Sequence, residues 1–428
     1  MIKYKILIIT SILLLFAWTL SADTVQHKIL TVDIDGPITP AQEELLGDAL
    51  AKASDEGFIN LIVRLDTPGG LAESMRNMVK LILNADVPVT VWVAPDGARA
   101  ASAGVFLVAA ADLAVMSPQS TIGSASPVDI SGKDAQDTMA QKIVNDLLSL
   151  ITSVARERGR NIEWYEAAVL ESANLDAQDA LQSRVIDIIA GSQEDLLNQM
   201  GKRGLVIHGQ EINFEAGDIE IVIFEPGLKY KILSWLLHPQ IAYLLFLAGM
   251  AGLFFEFSNP GAIFPGVVGG FCLVLGLYSL SVLPTNVTGI LLLILGFIFV
   301  LIEINVPTFG LLTTAALISF FFGSLFLFDS GYPYFQLPAM TIIPIITILT
   351  LVLVLLAYLI GKSQMSPTTD ESGITNDTVR VLDWEGTRGK VKVRGEIWNA
   401  RSSAPVSLEP EQEVPVDRVE GMTIYIKT

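Results

Sequence analysis

The chain of 428 residues holds one cysteine, Cys272, and three histidines, His27, His208 and His238. A single cysteine excludes a disulfide within the chain and a thiolate metal cage. The histidines are restrictive in another way, since none falls between residues 28 and 207. Basic residues are scarce: 27 Lys and Arg stand against 45 Asp and Glu, a net charge of −18. Nucleic-acid binding needs a basic footprint, and this balance argues against it. The most telling gap is local. No Lys or Arg occurs between Lys231 and Lys362, and the only acids there are Glu256, Glu303 and Asp329. That stretch reads as a membrane domain, so the acidic charge belongs to the two flanking parts.

The N-terminus, "MIKYKILIITSILLLFAWTLSAD", places Lys3 and Lys5 before an apolar run that ends in small residues at Ala22. This is the pattern of a secretory signal, with an uncleaved anchor as the alternative. In either case the following segment is expected outside the cytoplasm. Residues 25–200 then alternate between strand-like and helix-like pieces. Examples are "HKILTVDIDG" (27–36), "PAQEELLGDALAKASDEG" (40–57) and "FINLIVRLDTPGG" (58–70). The alternation predicts a parallel sheet with crossover helices. A long helix is expected from about Lys133 to Arg158, with Met139, Ile143, Leu147, Leu150 and Val154 at helical spacing. "RGRN" ends it, and Asn161 is placed to cap the next helix.

The expected organisation is a signal (1–22), an α/β domain (23–203), a linker (204–235), a membrane domain of about five helices (236–361), a linker (362–377) and a C-terminal module (378–428). The apolar runs lie near 240–256, 263–283, 288–304, 309–328 and 338–360, and the first is short for a span. One repeat is visible. Glu256 and Pro260 match Glu303 and Pro307 as E-x-x-x-P at the end of an apolar run. It reads either as a pair of polar elements inside the membrane or as two helix ends at its surface. The C-terminal module has short alternating strands and no helical pattern, which predicts a small barrel.

Serine chemistry is the reaction that the α/β domain could carry. Ser102 sits in "ARAASAGVFLVAAAD" (98–112), a lone hydroxyl among small apolar residues at the expected start of a helix. A hydrolytic serine needs a base and donors for the oxyanion. With no histidine between residues 28 and 207, a histidine base would need a terminal segment folded back, and the remaining candidate is a lysine whose ammonium form is disfavoured by burial. Lys52, Lys80, Lys133 and Lys142 are the candidates, and Lys142 flanks the apolar stripe of the long helix. The competing reading pairs Lys142 with Asp146 one turn later. "DTPGG" (66–70) offers glycine N–H groups to a ligand, and the Ala103 N–H at the helix start favours an oxyanion. An ordinary turn and close helix packing are the plain alternatives for these two motifs.

Taken together, "DTPGG", "AASAGVFLVAAAD", "TIGSASPV", the Lys142 helix with "RGRN", "FFEFSNPG" and "LPTNVTGILLLILGFIFVLIEINVPTFG" resemble the long form of the NfeD family. These are membrane-bound serine proteases of the ClpP class, also called stomatin operon partner proteins. The resemblance implies an α/β ClpP/crotonase-like domain, an α-helical transmembrane domain and a C-terminal all-β OB-fold barrel. It implies a Ser–Lys dyad, falling on Ser102 as nucleophile and Lys142 as base. Gly69 or Gly70 and Ala103 would be the oxyanion donors, and Ser124 would orient the lysine. No cofactor or metal is implied. The implied partners are a stomatin-like membrane protein, a hydrophobic peptide substrate, membrane lipid and a second copy of the chain. The implied place is the cell (inner) membrane, with the protease domain extracytoplasmic and the barrel cytoplasmic. The chain departs from the family's more frequent Pro-x-Gly with Trp384-Glu385-Gly386. A non-catalytic scaffold for a stomatin-like protein is the main rival. A crotonase-type acyl-CoA enzyme is a second, and an exported domain argues against it.

Overall fold

The computed structural model describes residues 27–126, 135–207, 210–212, 214–258, 263–306, 308, 310–328, 333–365, 373–374 and 377–427. The expected signal segment, Lys133 and His208 lie outside the described residues. The N-terminal elements are β1 (His27–Asp35), α1 (Pro40–Asp55), β2 (Asn60–Asp66), α2 (Ala72–Leu83), β3 (Val89–Val93), β4 (Arg99–Ala101), α3 (Ala103–Ala110), β5 (Leu113–Met116) and β6 (Thr121–Gly123). They continue with α4 (Ala135–Glu157), α5 (Ile162–Leu170), β7 (Asn174–Asp176), α6 (Ala177–Gln182), β8 (Ile188–Ile189) and α7 (Gln193–Arg203). The last are β9 (Leu205–Ile207), β10 (Gln210–Ile212), β11 (Ile219–Ile223) and α8 (Leu228–Leu236).

Six strands form one parallel sheet in the order β11-β1-β2-β3-β5-β8. Its central strands are buried on both faces, which is why "NLIVRLD" and "VTVWV" are near-continuous apolar runs. A second sheet, β4-β6-β7, stands beside it and carries the Ser102 segment at its edge strand. This is the expected ClpP/crotonase-like α/β arrangement. Helix ends follow local chemistry. Thr39 and Gln42 close a capping box on α1, with Pro40 in its first turn. Asn161 caps α5 through a 3.1 Å bond from the Trp164 N–H.

Two expectations need correction here. The segment 204–235 is not a plain linker: β11 pairs with β1 from His27↔Ile219 to Thr31↔Ile223, and α8 follows it. The two ends of this domain therefore share one sheet. The first apolar run is also longer than expected. It forms α9 (Pro239–Ser258), 20 residues, followed by α10 (Ile263–Val282), α11 (Val287–Asn305), α12 (Leu311–Leu325) and α13 (Ala339–Met365). Among the described residues three helices are long and apolar enough to cross a membrane, starting at Pro239, Ile263 and Val287. Leu311–Leu325 and Ala339–Leu355 are shorter apolar helices.

The membrane helices pack as hairpins through small residues. A Cβ on Gly249 would lie 2.6 Å from Leu273 Cα, and one on Gly252 would lie 2.5 Å from Gly269 Cα. Backbones come this close only where side chains are absent, the usual device for helix pairing in lipid. A Cβ on Gly323 would likewise lie 2.9 Å from the Leu293 backbone, joining α11 to α12. The repeated acid has a structural use. Glu303 accepts from the Gly310 N–H (3.0 Å), the Thr313 N–H (3.3 Å) and the Thr308 hydroxyl (2.5 Å), so it caps the next helix. This accounts for Glu303 as part of a helix end, while Pro260 and Pro307 of the motif lie outside the described residues. Glu256 lies against Gly266 in the first hairpin, at the position equivalent to Thr313.

The C-terminal unit is a closed barrel of β12 (Thr378–Glu385), β13 (Arg388–Val393), β14 (Glu396–Arg401), β15 (Glu413–Glu420) and β16 (Thr423–Ile426), ordered β12-β13-β14-β16-β15. Only β14 and β16 run parallel, the five-stranded OB-type closure that was expected. Its core is Val379, Val381, Val391, Val393, Ala400, Val414, Val416, Ile424 and Ile426. Arg394 and Gly395, both at positive φ, form the turn of the β13–β14 hairpin.

Candidate active site

The site begins with a tight turn. Ser102 stands between β4 and α3 at φ 51° and ψ −112°, a left-handed position that L side chains rarely take. Such a backbone costs about 1–3 kcal/mol and persists only where its surroundings fix it. Here they do. The Ser102 N–H donates to Gly123 O (3.1 Å), and the Ser102 carbonyl accepts from the Val105 N–H (3.1 Å). Strand β4 is tied to the "DTPGG" turn as well. The Thr67 N–H donates to Arg99 O (2.8 Å), and the Ala101 N–H donates to Thr67 O (3.1 Å). The Ser102 side chain does not cap α3, so its hydroxyl is left for other work.

The small residues around Ser102 are set by close approaches. A Cβ on Gly69 would lie 2.6 Å from Ser102 Cβ and 3.1 Å from Ser102 Oγ. A Cβ on Gly104 would lie 2.6 Å from Thr67 Cγ2 and 3.3 Å from Ala100 Cβ. A Cβ on Gly70 would lie 2.2 Å from Ile38 O. The two adjacent glycines also differ in their hydrogen bonding. The Gly69 N–H donates to Thr67 Oγ1 (3.1 Å), whereas among the described residues the Gly70 and Ala103 N–H groups have no acceptor. Two unengaged backbone donors beside a hydroxyl are what an oxyanion site requires.

The far end of α3 is held by "RGRN". The Arg160 guanidinium donates to Ala109 O (2.7 Å) and Asp187 Oδ2 (2.8 Å), and Arg158 donates to Ala110 O (3.0 Å) and to Asp112. Cations on the last carbonyls satisfy both the orphan acceptors and the helix dipole. The Arg160 side chain is 2% exposed. Next to it, burial pushes the Tyr165 hydroxyl above the ordinary phenol range, and it donates to Val185 O (3.0 Å). Thr67, Gly123 and Arg160 thus position Ser102; they fall within the quoted motifs, but the sequence assigned none of them a role. The Thr67–Gly69 turn alone was detectable, since a threonine two residues before a glycine favours such a turn.

The other expected residues are placed as follows. Ser124 has φ 52°, directly follows Gly123, and exchanges hydrogen bonds with Asn174 (2.8 and 3.2 Å). Asn174 was not anticipated. Lys142 lies on α4, whose buried Leu147, Ile151 and Val154 share one core with α3. The Lys142 side chain is exposed, with no hydrogen bond or ion pair among the described residues. Asp146 is not its partner, because Arg76 of α2 takes that carboxylate. The structure therefore gathers Gly69, Gly70, Ser102, Ala103 and the Gly123–Ser124 edge, and leaves Lys142 on an open face of the neighbouring helix. His27 starts β1 at the opposite end of the sheet. It is eight residues from Asp35, which pairs with Asp66, or about 26 Å along the strand. Among the described residues no cluster of His, Cys, Asp and Glu is arranged to hold a metal.

Comparison with known proteins covers the same three parts. Residues 28–198 match the NfeD1b N-terminal domain, 240–359 the NfeD integral membrane domain, and 372–427 the NfeD-like C-terminal, partner-binding domain. The membrane-bound protease PH1510 of Pyrococcus horikoshii is 29% identical over 411 residues, covering 94% of this chain and 93% of the relative. The membrane protein NfeD1b of Bacillus subtilis is 25% identical over 440 residues, covering 95% and 94%. One similar solved structure is a lysine-to-alanine variant of the 1510-N membrane-bound stomatin-specific protease with a substrate peptide. It is 27% identical and covers 49% of this chain and 98% of its own, with a TM-score of 0.45. With all three matches in order along the chain, the protein belongs to the NfeD family in its long form, and is an integral membrane protein.

Proposed function

We propose that this protein is a membrane-tethered serine endopeptidase that cuts an apolar segment of a stomatin-like membrane protein. The observation that carries the reading is the left-handed strand-to-helix turn at Ser102 beside two unengaged N–H groups. The name of the Pyrococcus horikoshii relative, a membrane-bound protease, points the same way. Ser102 Oγ attacks the scissile carbonyl and its proton passes to Lys142 Nζ. The new oxyanion is held by the Gly70 and Ala103 N–H groups; Gly69, already bonded to Thr67, shapes the turn instead. Lys142 then returns the proton to the leaving amine as the C–N bond breaks, and water releases the acyl group from Ser102. Ser124 stands on the strand edge that holds Ser102 and serves to orient the lysine. An apolar substrate laid over α4 would cover the exposed Lys142 and exclude water from it. This links the base to the preference for apolar segments.

A fluorophosphonate probe on the purified full-length protein tests this reading. It should label the native chain and not Ser102→Ala. No labelling of the folded native chain would favour the scaffold reading, which the open position of Lys142 supports. The same reading takes the chain as at least a dimer, with the α/β domain extracytoplasmic and, for five crossings, the barrel cytoplasmic. A reporter active only in the cytoplasm, fused after Thr428, checks the last point, and a silent but well-expressed fusion would contradict it.

A further inference from the structure

Helix α8 has two unlike faces. Leu228, Ile232 and Trp235 are 78%, 63% and 56% exposed. Their spacing of four and three places them on one stripe. The other side is fastened to the α/β domain. Tyr230 packs against the main core, and Lys229 pairs with Glu44 of α1. Just upstream, the Phe224 N–H donates to Thr31 O (2.8 Å), so the chain enters α8 directly from the main sheet.

A bare apolar stripe on a well-anchored helix needs an occupant, and its position names one. Only Leu237 and His238 separate α8 from α9, the first of the long apolar helices. Trp235 stands four residues before Pro239, about 6 Å of helical rise. Tryptophan belongs at the depth where headgroups meet acyl chains. Between the two helices lies a cavity of about 470 Å³ lined by Tyr230, Lys231, Ser234, Trp235, His238 and Gln240 among others. Its lysine is placed to reach a headgroup phosphate while its stem stays on the apolar stripe.

We infer that α8 is an interfacial helix seated in the phospholipid surface, with Leu228, Ile232 and Trp235 among the upper acyl chains and Lys231 at the phosphates. Because its other face is bonded to the α/β domain, the lipid surface fixes the height of that domain and hence of Ser102. For the proteolysis proposed above, this would hold the nucleophile at the depth where a membrane segment emerges. The inference about α8 itself does not depend on proteolysis.

The test uses full-length protein reconstituted in vesicles of phosphatidylcholine and phosphatidylglycerol. In a Cys272→Ser background, Ile232→Cys and, as a control on exposed α7, Glu194→Cys each receive a nitrobenzoxadiazole label. Iodide should quench the label at 194 and spare that at 232, while phosphatidylcholine spin-labelled high on its acyl chain should do the reverse. Equal access of iodide to both would overturn the inference, and so would the same lipid shielding at 194. A second arm replaces Ile232 and Trp235 by Asp. Cleavage of a membrane-embedded substrate should fall at least tenfold while labelling by a soluble fluorophosphonate is unchanged. An unchanged rate on the embedded substrate would remove the height-setting role. A native chain that neither cleaves nor labels would sink the protease reading and leave the quenching result standing.

Discussion

Gly69 and Ser102 approach so closely that a single methyl on Gly69 would stand 2.6 Å from Ser102 Cβ. Gly69 also has φ +111°, where any side chain is strained. Gly69→Ala is therefore expected to lower stability by about 1–3 kcal/mol and to displace the serine. Thermal unfolding would show the first effect. Loss of fluorophosphonate labelling in the still-folded variant would show the second.

Gly104 gives a prediction that runs against helix propensity. Within a helix, Gly→Ala ordinarily stabilises by about 1 kcal/mol. Here the new methyl would meet Thr67 Cγ2 at 2.6 Å, so Gly104→Ala should destabilise. Thr67→Ser removes that methyl and keeps the hydroxyl bonded to Gly69. The double variant should recover most of the loss, a coupling of about 0.5–3 kcal/mol measurable in a double-mutant cycle.

For the proposed dyad, Ser102→Ala and Lys142→Ala should each abolish turnover while leaving the fold intact. Lys142→Arg should fail too, since a guanidinium stays protonated and cannot act as base. Removing both groups should cost little more than removing one, because they act as a unit. A folded Lys142→Arg chain with near-native turnover would eliminate the lysine as base.

Arg160→Met removes the buried partner of the half-buried Asp187, which keeps Arg203 at 3.5 Å, and leaves the Ala109 carbonyl without that donor. Loss of a buried donor to such groups typically costs about 1–3 kcal/mol. Denaturant unfolding of the variant should show a loss in this range. Labelling of Ser102 should fall in step with it, since Arg160 holds the other end of the serine's helix.

Much of this architecture was legible in sequence because it rests on local patterns. Strand alternation, the "DTPGG" turn, the Ser102 helix start and the Asn161 cap all follow from neighbouring residues. What stayed hidden depends on contacts between distant segments. Nothing in "IEIVI" distinguishes a linker from the sheet-edge strand β11, because its partner β1 lies about 190 residues earlier. Asp146 looked like a helix-mate of Lys142 until Arg76 reached it from α2. Arg160 read as part of a polar helix end, yet its target carbonyl, that of Ala109, belongs to the serine's helix, 51 residues away.

The two acid–proline joints, 47 residues apart from Glu256 to Glu303, mark the membrane region as one unit used twice. Each unit is a helix, a joint and a returning helix. A unit that goes in and comes back leaves the polypeptide on the side from which it started, so either copy could be deleted or a third inserted without exchanging the compartments of the flanking domains. Where both copies span, the side of the C-terminal barrel relative to the α/β domain is set by α13, which has no counterpart among the described apolar helices.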